Sequence, residues 1–163
     1  MPAATVSRVI AVPRAQVWAA LSDIANARRW NASWSRIEIT SKQTHGVGTA
    51  FRAHTEDGET YDFVVTVWIA PECISFSPVR GEAEDYLITL ESHTFQLHAL
   101  NDEETRIELT AKASARGIRG RFIAMFFWPG YQKQGLNAAL DSVETLFELG
   151  EAESHAETTP VTD

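Results

Sequence analysis

The sequence predicts an α+β domain: a curved antiparallel sheet of about six to seven strands around a long C-terminal helix, with two short helices after strand 1. Three observations carry this. Residues 35–116 follow a two-residue apolar period broken by turn signals. Residues 131–149 return to the helical period, and the other helix-compatible segments are short. A single sheet has one apolar face to cover, and only one long helix is available to cover it.

The first strand is expected over Val6–Val12, where Val6, Arg8, Ile10 and Val12 share a face. Pro13 suits a helix start because it has no N–H to lose there. Val17, Ala20, Leu21 and Ile24 follow at helical spacing, and Ala25–Trp34 reads as a second short helix or turn. Ile37 and Ile39 then begin the alternating stretch. Gly46 and Gly48 open a strand that runs to Thr55, and Glu56-Asp57-Gly58 reads as a hairpin turn. Tyr61, Phe63, Val65, Val67 and Ile69 alternate up to the turn at Ala70-Pro71-Glu72. Cys73–Val79 is a short strand and Arg80–Asp85 a charged loop. His93, Phe95 and Leu97 share a face, but Ile88 and Leu90 are out of phase with them, which predicts a bulge near Glu91. Ile107, Leu109, Ala111 and Ala113 form the inner face of the last strand.

Upstream of the long helix, Ile118–Trp128 is helix-compatible, and Pro129-Gly130 should kink or break the join. Leu136, Ala139, Leu140, Val143, Leu146 and Phe147 make the apolar stripe of the helix, and Gly150 stands where a C-cap belongs. The domain is accordingly set at residues 1–149. Residues 150–163 hold Glu151, Glu153, Glu157 and Asp163 with no lysine or arginine and almost nothing to bury. They read as an acidic disordered tail.

Composition narrows the function classes. The chain has 163 residues, 44% of them hydrophobic, with a net charge of −8. That acidity argues against a nucleic-acid binder, whose footprint is a basic patch. One cysteine, Cys73, excludes a disulfide framework within the chain and a multi-cysteine zinc site. The N-terminus lacks the pattern of a signal peptide, and the longest apolar run, Phe122–Trp128, is far too short to span a bilayer. A cytoplasmic protein is expected. There is no G-x-S-x-G elbow and no HExxH pair, and Gly46-Val47-Gly48 lacks the third glycine and the following helix of a dinucleotide fingerprint. No cofactor and no metal are expected.

The segment VPRAQVWAALSDIANARRW resembles the opening of the START-like (SRPBCC, helix-grip) superfamily through Pro13, Val17, Trp18, Leu21, Asp23 and Trp30. GVGTAFRA, VTVWIAPECISFSP and HTFQLHALNDEETRIELT resemble the middle strands of its polyketide cyclase/dehydrase group. The likeness covers nearly all of residues 5–149, and its motifs are structural. It implies a hydrophobic or amphipathic small molecule, lipid-like or polyketide-like, held between the sheet and the C-terminal helix. Two alternatives stay open. One is a cyclase or aromatase, and the other is a co-chaperone-like interaction module using the outer sheet face around Trp68.

On that resemblance the expected ligand-binding residues are Trp30, Trp34, Phe51, Tyr61, Phe63, Phe76, His93, Phe95, Phe122 and Phe126. His93 and Tyr61 are polar residues in phase with apolar neighbours, which makes them the candidates for proton transfer. Arg116, Arg119 and Arg121 precede the aromatic run. They read as exposed cations at the buried start of the long helix, or as a mouth for an acidic ligand or lipid headgroup. Transient membrane contact and the oligomeric state are left open.

Overall fold

A computed structural model describes the backbone of residues 2–80 and 86–157 and side chains as far as Gly150. Seven strands form one antiparallel sheet: β1 (Ala3–Ile10), β2 (Trp34–Ile39), β3 (Ala50–Thr55), β4 (Thr60–Ile69), β5 (Cys73–Pro78), β6 (Ile88–Ala99) and β7 (Thr105–Ala115). Their spatial order is β1-β7-β6-β5-β4-β3-β2, so the first two strands lie at opposite edges. Helix α1 (Arg14–Ser22) and a 3-10 segment, Ile24–Arg29, join those two edges. Helix α2 (Gly117–Phe126) leads into the long α3 (Trp128–Glu157). The loop expected at Arg80–Asp85 lies outside the described residues, apart from Arg80.

The phases read from the sequence hold for most strands. Phe95, Leu97, Ile107, Leu109 and Ala111 are buried on one side of β6 and β7. The register shifts between Leu90 and Ser92, at the position of the expected bulge. The Asp57-Gly58 turn also forms, with Gly58 at a φ of 88°, a conformation that a side chain disfavours. At the other end of the sheet, the buried Thr105 hydroxyl donates to the Val12 carbonyl at 2.7 Å. This bond ties the start of β7 to the chain leaving β1.

One strand departs from the expected alternation. The pairing of β4 with β5 shifts between Val65 and Val67, so Trp68 stands opposite the buried Ile74. An extra residue reverses the phase of everything after it. Trp68 therefore packs toward the core, edge-on to Trp18 of α1 at 5.3 Å, while Ile69 turns out to solvent. Trp68 is thus not on the outer face where the interaction-module alternative placed it.

Helix α3 begins at Trp128 rather than at residue 131, with Pro129 in its first turn, where the missing N–H costs little. It also runs through Gly150 to Glu157 instead of stopping at that glycine. A single helical glycine costs only about 1 kcal/mol, and the Glu- and Ala-rich sequence beyond it favours helix. Leu136, Leu140 and Val143 are buried, with Ala139 and Phe147 packed against the same core. Arg8 of β1 donates to the carboxylates of Asp141 and Glu144, the latter at 3.0 Å, and clamps α3 to the edge strand. The Asp141 carboxylate in turn raises the Arg8 pKa above its ordinary value.

Helix α2 sits close to the sheet because its inward residues are small. A Cβ on Gly120 would lie 2.6 Å from the Leu87 carbonyl oxygen. Gly120→Ala is expected to lower stability by about 1–3 kcal/mol by lifting α2 away from the strand. Equilibrium urea unfolding checks this.

Candidate functional site

Helix α3 lies over β1 and β7, on one side of the sheet, and leaves the concave face of β4, β5 and β6 only partly covered. The segment after α1 fills the far side with Trp30 and Trp34. Between these two covers lies a cavity of about 290 Å³. Of the residues expected to bind a ligand, Trp30, Trp34 and Tyr61 border it, as do Phe63, Phe76, His93 and Phe95.

The aromatic wall is continuous. Trp30 meets Phe95 edge-on at 5.2 Å and Trp34 at 5.5 Å, and Trp34 meets Phe63 at 5.6 Å. Such contacts each contribute about 0.5–1.5 kcal/mol beyond area burial and fix the shape of the wall. Phe51 belongs to the cluster but not to the cavity. It is fully buried behind the lining and stacks on Phe63 at 5.3 Å.

Phe122 and Phe126 are placed elsewhere. They stand on the outer side of α2, 57% and 63% exposed, with their rings 4.8 Å apart. The reason is the close approach at Gly120, which commits the Gly120–Ala124 side of α2 to the protein and turns the large residues outward. The reading of this segment as a buried helix start therefore fails for Phe122, Phe126 and Phe127 and holds for Trp128, which is buried in the core. It also holds for its arginines, which are exposed.

His93 faces Phe76 across the β5–β6 pair with ring centroids 5.5 Å apart. Among the described residues its ring has no hydrogen-bond partner. Its backbone carbonyl accepts from the Ser75 hydroxyl, which anchors the strand at that point. Burial among aromatic groups pushes the imidazole pKa down to about 4, so the ring is neutral at neutral pH. One nitrogen is then a donor and the other an acceptor.

Tyr61 lies at the mouth, 46% exposed. Its hydroxyl donates to the Glu59 carboxylate, and this bond, assisted by desolvation, raises its pKa to about 12. Glu59 does not border the cavity, so this polar pair belongs to the rim.

Several lining residues carry no distinctive sequence signal. Asn31 and Ser33 form a side-chain turn at the rim, where the Asn31 side-chain oxygen accepts from the Ser33 backbone N–H at 3.1 Å. Leu90 joins the lining because the bulge at residue 91 returns it to the phase of His93. Gln132, Gly135, Leu136 and Ala139 roof the cavity from α3. Of these, only Leu136 and Ala139 were marked by the apolar stripe.

A curved antiparallel sheet that grips a C-terminal helix and keeps an apolar cavity between them defines a START-like, helix-grip domain. Solved structures share this architecture. A START superfamily protein from Mycobacterium smegmatis is 14% identical, with 90% of this chain and 97% of that one covered and a TM-score of 0.67. A norcoclaurine synthase point mutant from Thalictrum flavum, in complex with a transition state analogue, is 15% identical over 91% and 95% of the two chains, with a TM-score of 0.68. The di-domain ARO/CYC protein BexL is 14% identical, with 91% of this chain and 47% of that one covered and a TM-score of 0.73. At these identities the likeness is one of fold.

The chain belongs to the family described as polyketide cyclase/dehydrase and lipid transport, whose model matches residues 1–148. Fold and family together are of the hydrophobic-ligand-binding kind. No curated protein matches the chain. Among the described residues, no helix is long and apolar enough to cross a membrane.

Proposed function

We propose that this protein binds a small hydrophobic or amphipathic molecule in the cavity between β4–β6 and α3, and releases it chemically unchanged. The observation that carries this reading is the state of His93. It is a neutral imidazole in an aromatic cavity without a protein partner, and its pKa is near 4. An efficient general base has a pKa near the working pH, so an imidazole this weakly basic suits orientation of a ligand better than proton abstraction. Tyr61, with its pKa raised to about 12, is an equally poor acid.

The volume of about 290 Å³ limits the guest. Pockets for drug-sized ligands run from about 300 to 1,000 Å³, so the occupant is a compact molecule of one or two rings, or a short chain of similar bulk. Its apolar body lies against Trp30, Trp34, Phe76 and Phe95, and one polar group reaches His93.

His93→Ala separates binding from chemistry. With a ring-sized fluorescent probe such as naphthol, the variant is expected to lose about 1–3 kcal/mol of affinity, the usual cost of a lost buried hydrogen bond. Probe recovered from the wild type should be unaltered by mass. Turnover by the wild type that vanishes in a variant still able to bind would replace this reading with the cyclase one.

A further inference from the structure

We propose that the outward face of α2 docks on an anionic lipid surface. Most amphipathic helices turn their large apolar residues inward, and α2 does the reverse. At about 100° per residue, Gly120 and Ala124 fall on the buried side, while Ile118, Phe122, Met125 and Phe126 form a stripe on the opposite side. Ile118 is 88% exposed, and Phe127 and Tyr131, at the junction with α3, are also exposed. An exposed apolar surface of this kind marks an interaction site rather than ordinary surface scatter.

Charge selects the occupant. Arg121 lies on one side of the stripe and Arg119 on the other, both exposed. From Thr110 to Leu140 the chain contains no aspartate or glutamate, although the protein as a whole carries a net charge of −8. A helix with aromatic and aliphatic residues on one line and a cation on each flank matches the water–lipid boundary. There the apolar side chains enter the acyl region and the guanidinium groups stay level with phosphates. A second copy fits less well. Two copies meeting symmetrically on this stripe would set Arg119 and Arg121 against the same pair, with no carboxylate on the stripe to offset them. Docking by α2 does not depend on what occupies the cavity, since Phe122 and Phe126 do not border it.

The test is co-sedimentation of the full chain with vesicles of equal parts phosphatidylglycerol and phosphatidylcholine, and with phosphatidylcholine alone. The wild type should bind the anionic vesicles and leave the neutral ones, and binding should fade in about 0.5 M salt. The double substitution Phe122→Ser/Phe126→Ser should weaken binding at least tenfold, and Arg119→Gln/Arg121→Gln about tenfold, both with unchanged melting temperature because these side chains are exposed. Three outcomes would overturn the proposal: no binding to anionic vesicles, equal binding to neutral ones, or a dimer by light scattering that Phe122→Ser/Phe126→Ser converts to monomer. The third would assign the stripe to a second copy.

Discussion

Leu140→Asp is expected to leave the protein unfolded at room temperature. Leu140 is 1% exposed on the inner face of α3, within the core it shares with the sheet. Arg8, which reaches α3 from β1, is already engaged with Asp141 and Glu144. An unpaired buried charge costs about 3–5 kcal/mol, and the substitution also removes a packed side chain at about 2–5 kcal/mol. Together, at about 5–10 kcal/mol, these are comparable with the roughly 5–15 kcal/mol that holds a domain together. Far-UV circular dichroism with a melting scan decides the outcome, and Leu140→Met, expected to cost under about 1.5 kcal/mol, serves as the control. A native melting curve for Leu140→Asp would mean that α3 does not close the core.

The second large effect is on acid stability. In the unfolded chain His93 takes up a proton near the ordinary imidazole value of 6.5, whereas in the folded chain it does so only at about 4. Between those values the unfolded state binds more protons, so stability falls as pH drops through the window and changes no further from this source below it. At about 1.4 kcal/mol per pH unit, the loss approaches about 3 kcal/mol. Asp62, held low by its hydrogen bonds from Arg52, and Glu91, held low by Ser114 and Arg80, act in the same direction but at more acidic pH. Urea unfolding of wild type and His93→Leu at pH 7, 5.5 and 4 separates the two contributions. The wild type should lose about 2–3 kcal/mol more than the variant over this range. Parallel profiles would mean that the ring is solvated in the folded state.

Much of this architecture is legible from periodicity, because alternation and helical spacing report directly on which side chains a sheet and a helix can bury together. Even the irregularity at residue 91 is visible, as a clash of phase between Leu90 and Phe95. The bulge in β4 is not. Val65, Val67 and Ile69 continue an unbroken alternation in the sequence, and only the pairing with β5 reveals that Trp68 turns inward in their place. Helix α2 misleads for a different reason. Its period marks two opposite faces but not which one meets the protein, and the usual preference for large residues inside is overruled by the contact at Gly120. For the same reason Phe122 and Phe126, plausible pocket residues by composition, lie outside the cavity.

The cavity itself was legible as an aromatic set and only partly as a place. Phe63, Phe76, His93 and Phe95 share strand phases that point to one face. Asn31, Ser33, Gln132 and Gly135 are ordinary residues in loop or helix, and only three-dimensional proximity brings them to the rim. Phe51 shows the converse: its strand phase is right, yet it packs against Trp34 and Phe63 and does not border the space.

Whether that space holds a guest is the central claim, and native mass spectrometry of the protein isolated from its own cells tests it most directly. The account predicts a fraction of molecules carrying an additional small apolar compound, matched in bulk to about 290 Å³ and released intact on denaturation. It also predicts that Ala139→Phe, which grows a ring from α3 into the cavity, is folded and carries none. A wild type and an Ala139→Phe variant with the same bound mass would contradict the account, because the compound would then lie outside the cavity that His93 and the aromatic wall define.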